Sequence, residues 1–383
     1  SASRAFAWAC WARVSVMDSS HIPSAPVALG YPVMEAAMSD TTSVPHEEEK
    51  AISEARESYL AGLDMPPGLR AQYEKSAGDF DLRIWVIDNS GSMQTGDGNR
   101  IVRKADGGFA SCRSSRWEEL GDSLEYHAAL ATYLRAPTQF CVLNSPGGGI
   151  PQAMWCGTGA IQDELDMIRR LRESSPTGRT PLCAAIRSAT HTIQQRAAAL
   201  RTNGKRCVLV IASDGAATDG DVSIALKALQ DLPVWVVVRL CTDDEDVVSY
   251  WNSIDEQLEL DLDVLDDLAG EAREVREHAP WLTYSQPLHR LREWGCPDKI
   301  FDLLDERKLT MTEMRRMITL VVGSSATNLP DPQLDWTMFE SYLAAIIKAL
   351  PHTFDVHSGR LRSWIDVAKL RRQYRGDGCN IQQ

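Results

Sequence analysis

Three short segments carry oxygen donors of the kind that hold a hard cation. Asp88-Asn89-Ser90-Gly91-Ser92 puts a carboxylate and two hydroxyls on alternate residues, Thr180 stands before Pro181, and Asp214 lies within Ser213-Asp214-Gly215. Two carboxylates and three hydroxyls, with no imidazole or thiolate among them, suit Mg²⁺ or Mn²⁺, with Ca²⁺ a further candidate, and not zinc or copper. No Ser/His/Asp or Cys/His set, Walker loop or HExxH segment accompanies them, and the eight histidines are scattered, which leaves no obvious catalytic base. An EF-hand beginning at Asp88 fails, because its sixth position is Met93 and its twelfth Asn99. Taken alone, residues 88–92 have a plainer reading as a helix cap without metal, since Asp and Ser favour such positions.

The elements needed to position these segments are legible around them. Ile84-Trp85-Val86-Ile87 is a short apolar strand ending on Asp88, Gln139 to Leu143 is another, and Cys207–Ile211 and Val234–Val238 are fully apolar runs. Between them, apolar residues recur at helical spacing: Trp117, Leu120, Leu124, Ala128, Ala131 and Leu134, then Ile161, Leu165, Ile168 and Leu171, then Leu182, Ile186, Ala189, Ile193 and Leu200. Apolar strands alternating with amphipathic helices are what a parallel sheet covered on both faces requires. The pattern predicts an α/β fold, a doubly wound and mainly parallel sheet flanked by helices, over residues 80–268. In such sheets ligands bind beyond the carboxyl ends of the strands, and each donor segment falls at a strand end or a helix start.

The set Asp88-x-Ser90-x-Ser92, Thr180 in Gly178-Arg179-Thr180-Pro181-Leu182, and Asp214 in Ser213-Asp214-Gly215 resembles a von Willebrand factor type A (vWA) domain with its metal ion-dependent adhesion site, the MIDAS. The resemblance covers about half the chain. It implies that Ser90 and Ser92 bind the cation directly, and that Asp88, Thr180 and Asp214 act directly or through water. An acidic residue of a protein partner would complete the coordination. Two departures stand out: Met93 to Arg116 intervenes where most such domains begin a helix at once, and Arg179 replaces a small residue. The long insertion, with turns at Gly96-Asp97-Gly98 and Asp106-Gly107-Gly108, makes Asp97 and Arg179 candidates for partner contact at the rim. The segment beginning Pro280-Trp281-Leu282-Thr283-Tyr284 is similar to the region C-terminal to this domain in intracellular fungal and protist proteins, which bears on topology more than on function.

Composition narrows the rest. The chain has 383 residues, 44% hydrophobic and 24% charged, with a net charge of −13, and its pI is near 5.1. That balance argues against a nucleic-acid partner, and no run of apolar residues is long enough to span a bilayer. Nine cysteines without a CxxC pair argue against a zinc site or disulfide framework and for a reducing, cytoplasmic compartment. Residues 1–44 read as a flexible arm, in which Met17 looks like a start and the stretch before it a leader or artefact. Residues 45–79 read as a short helical lead-in and 269–383 as a helical C-terminal region without strands. A capping box at Thr310–Glu313 opens one of its helices, and a last, basic helix covers Leu361 to Tyr374. The stretch from Leu240 to Ala272 holds twelve acids and no Lys or Arg and reads as a solvated face. The expected function is a non-enzymatic, divalent-cation-dependent protein-interaction module that captures a partner's Asp or Glu. The alternatives are an accessory subunit of an ATP-driven (AAA+ type) machine, and behind that a metal-dependent hydrolase.

Overall fold

The structure, a computed structural model, describes residues 46–105, 107–215, 217–242 and 244–375. The expected arm at 1–44 lies outside the described residues. The chain forms two units, residues 1–63 and 64–383. In the first, the described element is α1 (His46–Gly62), along which Lys50 and Glu54 pair one turn apart at 3.8 Å.

The second unit is built on a six-stranded sheet. After α2 (Pro67–Asp79) comes the central strand β1 (Phe80–Ile87), then a hairpin of β2 (Gly98–Arg103) and β3 (Phe109–Ser114), and α3 (Arg116–Tyr133). The chain continues through β4 (Thr138–Val142), β5 (Ala153–Cys156), α4 (Ile161–Glu173), α5 (Leu182–Thr202) and β6 (Arg206–Ser213). It then runs through α6 (Val222–Lys227), β7 (Val234–Leu240), α7 (Glu245–Gln257) and β8 (Leu262–Leu265). The sheet order is β5-β4-β1-β6-β7-β8, parallel throughout except for the edge strand β5. The chain winds outward from β1 on one side, returns to its other side at β6, and winds outward again. The strand order therefore reverses between β1 and β6, as in the doubly wound folds that bind ligands at that point.

One face of the sheet carries the apolar core. Leu82, Ile84 and Val86 of β1 and Leu209 and Ile211 of β6 pack with Leu182, Ile186, Ile193 and Leu200 of α5, and with Trp251 and Ile254 of α7. The opposite face carries polar residues inside otherwise apolar strands, Arg83 in β1 and Arg239 in β7, both fully buried. They are met by a helix from far along the chain, α9 (Gln286–Glu293), which comes after α8 (Leu268–His278). Glu293 accepts from Arg239, Arg290 and Ser123, and the Arg83 guanidinium lies 3.9 Å over the Trp294 ring. The close seating of this helix end is written into Gly295, which has φ +92°, and a Cβ there would lie 2.6 Å from Val208 of β6.

The remaining elements are α10 (Asp302–Glu306), α11 (Met311–Val322), α12 (Trp336–Ala349), a short hairpin of β9 (Thr353–Asp355) and β10 (Arg360–Arg362), and α13 (Val367–Arg375). The expected capping box forms, Thr310 and Glu313 bonding reciprocally at the start of α11. Two expectations are corrected. The C-terminal region is not free of strands, and the last helix starts at Val367, because Leu361 and its neighbours pair with β9 instead. The acidic stretch 240–272 is a solvated face only in its first part, where Asp244, Glu245, Asp246, Asp255, Glu256, Glu259 and Asp261 are exposed. It contains the edge strand β8, and its Asp263 and Glu271 are buried against Arg292 of α9. Among the C-terminal basic residues, Arg362 pairs with Asp355, Lys369 with Asp366 and Arg371 with Glu340.

Candidate functional site at the sheet rim

Asp88 leaves the carboxyl end of β1 with its N–H still donating to Ala212 of β6 at 2.8 Å, so the two strand ends stay side by side as the loops begin. Its side chain is fully buried. Oδ1 accepts from the Ser90 N–H at 2.8 Å and Oδ2 from the Ser213 hydroxyl at 2.7 Å. Burial pushes the Asp88 carboxyl above the usual carboxylate range; the Ser213 and Ser90 hydrogen bonds oppose this and the nearby Asp214 adds to it.

The chain then turns through a 3-10 segment at Gly91–Gln94 whose N-terminal residue, Ser90, makes no side-chain cap. The plainer reading of residues 88–92 as a helix cap is therefore not what these side chains do. The Ser90 and Ser92 hydroxyls face each other at 3.0 Å, and the Ser92 hydroxyl donates to Asp214 Oδ1 at 3.0 Å. Helix α3 takes its cap from Ser115, in a capping box with Glu118.

A second loop is stitched to the first. Asn89 donates to the Asn144 carbonyl at 2.8 Å and accepts from its N–H at 2.7 Å, while the Asn144 amide donates to the Arg179 carbonyl at 2.8 Å. The N–H groups of Gly91 and Thr177 reach the carbonyls of Gly178 and Asn89. Gly178 has φ +94°, and a Cβ there would press on the Asn144 side chain at 2.7 Å, so this crossing needs glycine. Buried Thr180 follows two residues after the Gly178 carbonyl that takes the Gly91 N–H. Pro181 occupies the N-cap position and α5 begins at Leu182. Asp219 takes the N–H groups of Cys183 and Ala184, so the helix is capped without the Thr180 hydroxyl.

Asp88, Ser90, Ser92 and Asp214 are thus joined in one hydrogen-bonded chain, with Thr180 in the adjoining loop. The two partner-contact candidates part company: Arg179 is exposed, whereas the Asp97 carboxylate is gripped through both oxygens by Arg116, at 2.8 and 2.6 Å. Those bonds hold Asp97 below the usual carboxylate range. The same Arg116 donates to Asp214 Oδ2 at 2.9 Å. Sequence reasoning looked to Arg179 for a cation at the rim and missed Arg116. The available signal was a cation in the first turn of a helix, where the dipole disfavours it.

The donor set fits a divalent ion. Oxygens 2.0–2.1 Å from an octahedral Mg²⁺ lie about 3 Å from their neighbours, the spacing of the Ser90, Ser92 and Asp214 oxygens. Elsewhere Glu271, Glu274 and Asp305 bring carboxylates within 4.8 Å of one another. Glu271 there is already bound by Arg292, and we assign that cluster no role.

No protein-family model matches the chain, and no curated protein does. Among solved structures, the manganese-loaded TRAP protein of Plasmodium vivax is similar at 14% identity, over 42% of this chain and 57% of that one, with a TM-score of 0.24. The chain therefore spans little more than half the length of that structure. Among the described residues no helix is long and apolar enough to cross a membrane.

Proposed function

We propose that the chain is a divalent-cation-dependent protein-binding module of the vWA type. Its rim would hold Mg²⁺ or Mn²⁺ through Ser90, Ser92 and Thr180, with Asp88 and Asp214 in direct or water-mediated contact. The bound ion would supply a Lewis-acidic position for a partner's Asp or Glu. The carrying observation is the 3.0 Å spacing of the Ser90, Ser92 and Asp214 oxygens at the point where the strand order reverses. Burial, with Asp214 nearby, raises the cost of ionising Asp88, which favours a cation there.

We read the module as non-enzymatic. Both Asp88 oxygens and both Asp214 oxygens accept hydrogen bonds from protein groups, which favours holding over proton transfer. The seven described cysteines are all free, which supports a cytoplasmic setting. Calorimetric titration with Mn²⁺ and Mg²⁺, followed by partner capture with and without EDTA, tests the reading. Heat on titration and EDTA-sensitive capture of a partner through its acidic residue support it. No heat with either ion at millimolar concentration rejects it.

A further inference from the structure

Arg116 does more than close the base of its hairpin, because its side chain also reaches the rim. It is the first residue of α3, a position at which the helix dipole favours acids. The helix already has its cap in Ser115 and an acidic first turn in Glu118 and Glu119. Yet its side chain is turned back to the rim and only 13% exposed, wedged between Asp97 at 35% and Asp214 at 3%. The fork, Nε and Nη2, is bidentate to Asp97, and the remaining Nη1 is bonded to Asp214 Oδ2. Its backbone N–H donates to the Thr95 carbonyl at 3.0 Å, closing the base of the β2–β3 hairpin that Asp97 and Arg116 flank.

We propose that Arg116 is an internal counter-ion for Asp214 that a divalent ion must compete with, and that Asp97 sets the terms of that competition. The inference rests on the cation-site reading above. A guanidinium and a divalent ion sharing one carboxylate repel each other, and in a largely desolvated rim that repulsion is weakly screened. The bidentate hold of Asp97 draws the guanidinium charge outward and partly neutralises it. Arg116 then lowers the affinity for the ion, and Asp97 restores part of it.

The test measures Mn²⁺ binding by calorimetry on the full chain and on single variants. Arg116→Gln is expected to bind Mn²⁺ about tenfold more tightly, and Asp97→Asn several-fold more weakly, with opposite signs. Arg113→Gln removes an exposed neighbouring cation on β3 that makes no bond to Asp214, and should change affinity by less than about threefold. Equal affinity in wild type, Arg116→Gln and Asp97→Asn overturns the proposal while leaving the cation site standing. An equal gain in Arg113→Gln and Arg116→Gln also overturns it, since the effect would then be general charge. Absence of Mn²⁺ heat in every variant overturns both this inference and the cation-site reading. If Arg116→Gln does not fold, the sign of the Asp97→Asn effect decides.

Discussion

Glu293 Oε2 lies 2.7 Å from His127 Nε2 in the layer between the sheet and α9, with both side chains fully shielded from solvent. Burial alone would raise the Glu293 carboxyl, but the Arg290 charge and the His127 hydrogen bond overcome it and hold the group well below the usual carboxylate range. Four donors from three elements converge on this carboxylate: Ser123 and His127 of α3, Arg239 of β7, and Arg290 of α9. The C-terminal region is thereby locked to the sheet through charge as well as through apolar packing.

Removing that carboxylate strands buried cations. Glu293→Gln is expected to destabilise the chain by about 3–5 kcal/mol, the usual result of leaving a buried charge without its partner. Adding Arg290→Met should recover part of the loss, because it removes one of the charges left unpaired. Denaturant unfolding of the two variants is the measurement. A Glu293→Gln loss below about 1 kcal/mol, the size of an ordinary neutral hydrogen bond, would mean that the cluster is not a keystone of the fold.

Two other buried groups give the stability a definite pH shape. Burial drives His289 down to about 3, against an ordinary value near 6.5. A neutral His289 therefore contributes stability that is complete above pH 6.5 and is lost as the pH falls from there towards 3. Burial pushes Glu271 up to about 8 although Arg292 opposes it, since Arg292 already serves Asp263. Between about 4.5 and 8 the folded Glu271 holds a proton that the unfolded chain has released, so stability falls as the pH rises through that window. The melting temperature should decline by a few degrees from about pH 6.5 to about 8.5, where His289 no longer contributes. Glu271→Gln should flatten that decline. A decline unchanged in the variant would remove Glu271 as its cause.

How much of this was legible depends on how far apart the cooperating residues stand in sequence. The buried strands β1, β6 and β7 announce themselves as continuous apolar runs, and α3 by its periodic stripe, so the sheet centre and the rim beside it could be placed from local pattern. Strands β5 and β8 could not. Each is four residues long at a sheet edge, and β8 lies within the acidic stretch where Asp263 reads as a surface acid. Its partner, Arg292, is 29 residues away. The donors Ser90, Ser92 and Asp214 were recognisable because each stands just past a strand end. The Arg116–Asp214 bond joins residues 98 apart and leaves no mark in local pattern beyond an arginine in an otherwise acidic helix start.

The rim hydroxyls offer the sharpest test, because the fold makes little use of them. Among the described residues the Ser90 hydroxyl bonds to that of Ser92 and helps hold the Asp88 carboxylate, and Ser92 adds one bond to Asp214, so replacing both with Ala deletes no apolar packing and no cap. The loss of a neutral hydrogen bond of this kind is worth about 1 kcal/mol. The melting temperature of the metal-free Ser90→Ala/Ser92→Ala variant should therefore fall by no more than a few degrees. Wild type at a Mn²⁺ concentration about one hundred times the dissociation constant should gain about 2.7 kcal/mol by mass action, a rise of about 5 °C or more. The double variant should show no such rise, since the ion loses two of its three direct ligands and keeps, beside Thr180, only carboxylates that already have other partners. Thermal melts of both proteins, with Mn²⁺ and with EDTA, decide the matter. If the Mn²⁺-dependent rise persists in full in the double variant, the ion binds elsewhere and the Ser90–Ser92 rim is not its site.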